Sequence, residues 1–189
     1  MNIPTVYLAD QVGMGKVIQT AKNVGISTLV TEGEYSDTNL AASLGGLTYG
    51  VSVWDMAKAY SVFANGGKLV EPTVIMKVVD RNGKVIEDHS GARESTQAVD
   101  EASAWTLTSV LEEVISRGTG GNAYIGRPSA GKTGTTDDEH DAWFVGYTPD
   151  LSTLSGSAMT RPPMRGIPAA PFLQRFGAII CTKRKAVTP

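Results

Sequence analysis

The stretch GRPSAGKTGTT, residues 126–136, constrains the chain most, because it satisfies two patterns whose folds exclude each other. From Gly126 to Thr133 it reads G-x-x-x-x-G-K-[ST], a phosphate-binding loop that must leave a strand and enter a helix whose N-terminal N–H groups hold the anion. From Lys132 onward it reads K-T-G-T, which suits an extended strand: Lys132, Gly134 and Thr136 share one face, and Thr133 and Thr135 the other. The following residues decide between them. Gly134-Thr135-Thr136-Asp137-Asp138-Glu139 shows no apolar periodicity and ends in three successive acids that would repel a triphosphate, so no helix is predicted there. Val74–Asp80 imitates the acidic strand that holds magnesium, but Lys77 interrupts it and the Asn82-Gly83 turn explains Asp80 as a hairpin residue. A strand edge bearing an ammonium, hydroxyls and a glycine can instead receive an extended peptide by main-chain hydrogen bonds, with Lys and Thr holding its carboxylate.

The rest of the chain alternates helices and strands. Apolar spacing predicts a helical pair opened by Pro4 and broken around Gly13-Met14-Gly15, then a loop over residues 31–50. A helix over Val53–Ala64 is stopped by Asn65-Gly66-Gly67. Strands Thr73–Val79 and Lys84–Glu87 join through Arg81-Asn82-Gly83. Asp100 caps a helix running to about Ile115 with Trp105, Leu107, Val110, Leu111 and Val114 apolar, and strands follow at the opening stretch and at Ala142–Tyr147. This order is α+β. Trp54, Trp105 and Trp143 read as packing residues, His89 and His140 as surface histidines, and Ser36-Asp37-Thr38-Asn39 as a turn.

Composition removes several function classes. With 41% hydrophobic residues, 189 residues can bury a core. A net charge of −2 makes no electrostatic case for nucleic acid. The lone Cys181 has no intrachain disulfide partner, no stretch approaches the ~18 apolar residues of a membrane span, and no His, Cys, Asp and Glu set has metal spacing. Neither a metal nor a cofactor is expected.

Ordered motifs carry a resemblance. Gly126–Asp138 followed by Asp141-Ala142-Trp143-Phe144-Val145-Gly146-Tyr147-Thr148-Pro149 resembles the transpeptidase domain of class A, bifunctional penicillin-binding proteins. Asn2-Ile3-Pro4-Thr5-Val6, Leu44-Gly45-Gly46, Met56–Tyr60 with Phe63–Gly67, and Arg117-Gly118-Thr119-Gly120 agree in the same order. The resemblance implies a penicillin-binding-protein/β-lactamase-like fold, an antiparallel sheet with flanking helices. It also implies acyl transfer at the D-Ala-D-Ala end of peptidoglycan stem peptides, a reaction that β-lactams intercept by acylating the enzyme. In such enzymes a serine from S-x-x-K attacks, its lysine acts as base, and S-x-N assists proton transfer. Carried onto this chain, Lys132 is the lysine of K-T-G, Thr133 and Thr135 bind the carboxylate, and the Thr135 N–H is an oxyanion donor. Gly134 and Thr136 complete the substrate strand, and Asn2 is the last residue of S-x-N. The parent is expected to be membrane-anchored at the periplasmic face of the inner membrane, with a glycosyltransferase domain elsewhere.

Two departures accompany the likeness. If Asn2 closes S-x-N, its serine and the nucleophile motif lie before residue 1, so a partial domain without a nucleophile is expected. The only internal S-x-x-K, Ser129 to Lys132, lies in a predicted strand, where that spacing puts the two side chains on opposite faces. Beyond Leu151 the family's V-W-V-G-N-D strand and its final helix are missing. Ser155–Thr160 can be written in codons that, read one base earlier, give L-W-V-G-N-D, and residues 168–181 in codons that give P-A-E-I-W-R-D-Y-M. The domain is therefore read as residues 1–151, with 152–189 a frameshifted remainder, a doubtful closing strand, and Cys181 and Lys183-Arg184-Lys185 as accidents of frame.

Overall fold

A computed structural model of the chain describes residues 2–91, 93–136 and 141–158. The N-terminal pair is helix α1 (Ile3–Val12) and helix α2 (Met14–Asn23), separated by Gly13, whose φ of 86° lets the chain reverse without a helical bridge. The loop that follows contains a 3-10 turn at Leu40–Leu44 and is organised by a buried Asp37, whose carboxylate accepts from Val30 N (2.8 Å) and Thr48 N (2.7 Å). Helix α3 (Val53–Ala64) begins where Ser52 Oγ accepts from Asp55 N at 3.0 Å. It ends at the predicted Asn65-Gly66-Gly67 stop.

Among the described residues three separate antiparallel sheets follow. Strand β1 (Lys68–Val70) pairs with β4 (Ser95–Gln97), a pairing the sequence pattern did not announce. Gly67 makes it possible: at φ 85° its carbonyl receives Ala98 N and Val99 N, and a β-carbon there would sit 2.0 Å from Val99 O. Strands β2 (Lys77–Val79) and β3 (Val85–Asp88) form the predicted hairpin, β2 being shorter than its apolar run, and Asp80 Oδ1 caps the turn by accepting from Asn82 N and Lys84 N. Helix α4 (Glu101–Ser116) is capped as expected, Asp100 accepting from Ser103 N at 2.9 Å.

The third sheet has the order β5 (Ala130–Thr135), β6 (Asp141–Thr148), β7 (Leu151–Ala158). Phe144 of β6 is buried with Ile115 and Ala123. Tyr147, nearer the far end of β6, is buried with Leu111 and Ala130, beside Tyr60 and Phe63 of α3. A third cluster, Val24, Ile26, Ala59 and Val62, joins α3 to the chain leaving α2.

Three expectations change. Trp105 is 71% exposed and Trp54 46% exposed, so neither is a core residue of the described fold; α4 turns Ala104, Leu111 and Ile115 inward and leaves Trp105 outside. The closing strand is present as β7, paired with β6 along its length, with Thr153 and Ser155 buried where an apolar strand was expected. The 31–50 loop carries a helical turn. His140, Cys181, residues 183–185 and the region of the expected final helix lie outside the described residues.

Candidate active site

The alternation of β5 and β6 explains the local geometry. Gly131, Thr133 and Thr135 face one way, opposite Gly146, Phe144 and Ala142 of β6, and Lys132 and Gly134 face the other, opposite Val145 and Trp143. A β-carbon on Gly131 would lie 2.7 Å from Val145 O and 3.1 Å from both Ile115 Cδ1 and Phe144 Cζ, so the strand presses against α4 and the Phe144 ring only because this residue is glycine. Across the other face runs the row Gly134, Trp143, Gly156, and the indole lies within 3.2–3.3 Å of where a Gly156 β-carbon would stand. Trp143 is accordingly half-buried, bedded between two glycines.

The segment of interest therefore emerges from a packed base. Ala130 and Gly131 are buried, Thr133 and Gly134 half-buried, and Lys132, Thr135 and Thr136 exposed. In the described sheet β5 is an edge, so half of its backbone donors and acceptors face away from β6. The Lys132 ammonium donates to Thr133 O at 2.7 Å, leaving two of its three N–H groups for another partner. The β5 lead-in is clamped at the opposite end: Arg127 donates to Thr148 Oγ1 (2.7 Å) and Asp150 Oδ1 (2.6 Å), Thr148 Oγ1 in turn donates to Asp150 Oδ1 (2.7 Å), and the Thr148 hydroxyl first and Arg127 second hold the Asp150 carboxyl below the usual range.

The phosphate-loop pattern is not realised. Gly131-Lys132-Thr133 lies inside a strand, so the residues that would open the required helix are extended. Ser129 stands just before β5 rather than in it and is not bonded to Lys132: its hydroxyl is buried and has no hydrogen-bond partner among the described residues. Of the predicted site residues, Lys132, Thr133, Gly134, Thr135 and Thr136 stand together. Asn2 stands at the exposed start of α1, which packs on α2 and the 40–44 turn, and among the described residues no hydrogen bond joins its side chain to β5. Asp137–His140 lie outside the described residues.

One residue at the site was not singled out by sequence. Thr119, in the turn after α4, brings its Oγ1 to 2.9 Å from Thr133 Oγ1. Fourteen positions separate the two threonines, so only the folding of α4 onto β5 joins them. The one available signal was Gly118-Thr119-Gly120 itself, a hydroxyl between two glycines. Among the described residues no group of three His, Cys, Asp or Glu is placed to hold a metal, and no helix is long and apolar enough to cross a membrane.

Comparison with known proteins agrees with this geometry. The family pattern of the penicillin-binding protein transpeptidase domain matches residues 1–166. Penicillin-binding protein 4 of Bacillus subtilis is 36% identical over 148 residues, covering 78% of this chain and 23% of that protein. The chain spans 20–23% of the length of such curated relatives. The structure of the penicillin-binding protein PonA1 from Mycobacterium tuberculosis superposes with a TM-score of 0.76 at 29% identity, over 91% of this chain and 50% of that one. Penicillin-binding protein 3 from Mycobacterium tuberculosis, solved in complex with ampicillin, shares the fold at a TM-score of 0.74 and 23% identity, over 99% of this chain and 49% of that one. With the K-T-G strand at the sheet edge and the match running through β7, the chain belongs to the penicillin-binding protein transpeptidase family and forms part of the transpeptidase domain of a class A penicillin-binding protein.

Proposed function

We propose that residues 2–158 supply the carboxylate-recognition side of a serine D,D-transpeptidase site, which cross-links peptidoglycan stem peptides ending in D-Ala-D-Ala and is acylated by β-lactams. The observation that carries this reading is the K-T-G-T segment held as an edge strand of the described sheet, buried at Ala130–Gly131 and exposed at Lys132 and Thr135. An extended peptide can add to that edge through main-chain hydrogen bonds. Thr133 and Thr135 hydroxyls then bind its terminal carboxylate, and Lys132 supplies the compensating charge. The Thr135 N–H serves as an oxyanion donor, a role typically worth about 3 kcal/mol of barrier. Gly134 keeps that stretch of edge free of a side chain, Thr136 follows directly after the strand with a further hydroxyl, and Asn2 stands as the last residue of S-x-N. A β-lactam fits because it carries the same carboxylate beside an acyl carbonyl, and the ampicillin complex of the related fold is consistent with such a ligand.

On this reading the parent works outside the cytoplasmic membrane, where peptidoglycan is assembled, while this chain binds without forming an acyl-enzyme. Labelling with a fluorescent penicillin tests the point. The expected result is no covalent label on the 189-residue chain and efficient label once the upstream serine segment is joined to it. A label surviving denaturation on the chain alone overturns the assignment of the nucleophile. Lys132→Ala in the joined protein is expected to slow acylation by about 100-fold or more, as loss of a preorganised charge at a reacting centre does.

A further inference from the structure

The turn after α4 is built to hold one hydroxyl. A β-carbon on Gly118 would stand 2.8 Å from Val114 Cα, and one on Gly120 would stand 3.0 Å from Ile115 Cδ1 and 3.1 Å from Val114 O. Both glycines therefore let the chain fold back on the last turn of α4, where Gly120 N donates to Val114 O at 2.9 Å. The same Ile115 Cδ1 lies 3.1 Å from the β-carbon position of Gly131. One side chain thus spaces the turn from β5, and Thr119 between the glycines meets Thr133 at 2.9 Å.

We infer that Thr119 is a positioning residue for carboxylate recognition: its hydroxyl donates to Thr133 Oγ1 and so turns the single Thr133 proton outward, toward the anion. The inference rests on the reading of β5 as the carboxylate-binding edge. Its logic is proton counting. A threonine hydroxyl has one proton and two lone pairs, so the pair of hydroxyls can be arranged in two directions. Once a carboxylate takes the Thr133 proton, only the direction from Thr119 to Thr133 keeps both bonds, and the chained donors strengthen one another. Without Thr119, Thr133 is a free rotor that must be ordered by the ligand itself.

The test is an NMR titration of the 189-residue chain, following the Thr133, Gly134 and Thr135 amides, with benzylpenicillin and with its methyl ester, which lacks the anionic carboxylate. Thr119→Val is expected to weaken benzylpenicillin binding about fivefold, the loss of one net hydrogen bond, and to leave the ester unchanged. Thr119→Ser is expected to restore binding to within about twofold, and Thr133→Val to abolish the preference for the free acid. Equal weakening of both ligands by Thr119→Val marks a merely structural residue and overturns the inference. So does a Thr119→Val chain that binds like wild type while Thr133→Val loses the preference. Absence of binding, or of any carboxylate preference, in the wild-type chain overturns the substrate reading of β5 and the inference with it.

Discussion

Asp37 shows how one side chain can tie together the loop from Val30 to Thr48. Its two oxygens accept separate backbone N–H groups, from Val30 on one side of the loop and Thr48 on the other, and both bonds favour the ionised form, holding the carboxyl below its usual range. The sign follows: the folded state prefers deprotonated Asp37, so its contribution is complete above about pH 4 and is lost as pH falls through the lower folded-state value. An acid titration followed at the Thr48 amide is expected to move with a midpoint below that of an unperturbed carboxylate. Asp37→Asn replaces one acceptor with a donor facing an N–H. Cleavage by a glutamate-specific protease after Glu32 or Glu34 is then expected to accelerate several-fold at neutral pH, and an unchanged rate would count against the clamp. Sequence identified Ser36–Asn39 as a turn; the segment bends at Asp37 and Asn39, with Thr38 N donating to Ser36 Oγ and Asn39 Nδ2 to Ser36 O. Sequence could not reveal that Asp37 is the buried centre of the loop, because Thr48 is eleven positions away.

Within strand β5 two glycines have different duties. Gly131 has no room, with Val145 O 2.7 Å from a β-carbon position, whereas a β-carbon on Gly134 meets only Trp143 Cβ at an ordinary 3.4 Å. Gly131→Ala is therefore expected to destabilise the chain by about 1–3 kcal/mol through overpacking. Gly134→Ala should stay within about 1 kcal/mol of wild type in chemical denaturation, since its cost is confined to ordinary contact. The reverse order would show that β5 is not seated against α4 as described. The elements themselves were largely legible. Capping by Asp100, the break at Gly13 and the Asn82-Gly83 hairpin are local devices whose partners lie within a few residues, and each formed as read; the Ser52 cap on α3 is equally local but was not singled out. The β1–β4 pair was not legible: its register couples Lys68 to Gln97, a contact between two three-residue strands with no alternating pattern.

At the scale of the molecule, the described fold leaves apolar side chains uncovered. Ile3, Tyr7 and Leu8 are 83%, 66% and 63% exposed on α1, and Trp105 and Val110 are 71% and 58% exposed on α4. Apolar patches of this kind promote association. The chain is expected to enhance anilinonaphthalene sulfonate fluorescence and to sediment with concentration-dependent mass, and Tyr7→Lys with Leu8→Glu should reduce both. Dye fluorescence at the level of a fully covered globular protein would contradict the exposure of α1. Val62, at 0% exposure, is buried with Val24, Ile26 and Ala59, and Val62→Ala should cost about 2 kcal/mol in thermal unfolding.

Sequence by itself determined the α+β order, the helix boundaries and the strand nature of residues 130–135, because periodicity, caps and short motifs act over a few residues. It also separated two catalytic patterns, since a phosphate loop needs a helix that the acidic residues after Thr136 cannot start. Tertiary structure alone decided that Thr119 meets Thr133, that Trp105 stays outside, and that Thr153 and Ser155 complete the sheet as β7. Those outcomes depend on how helix α4 and three strands pack, through contacts whose partners are far apart in the chain and leave no local pattern.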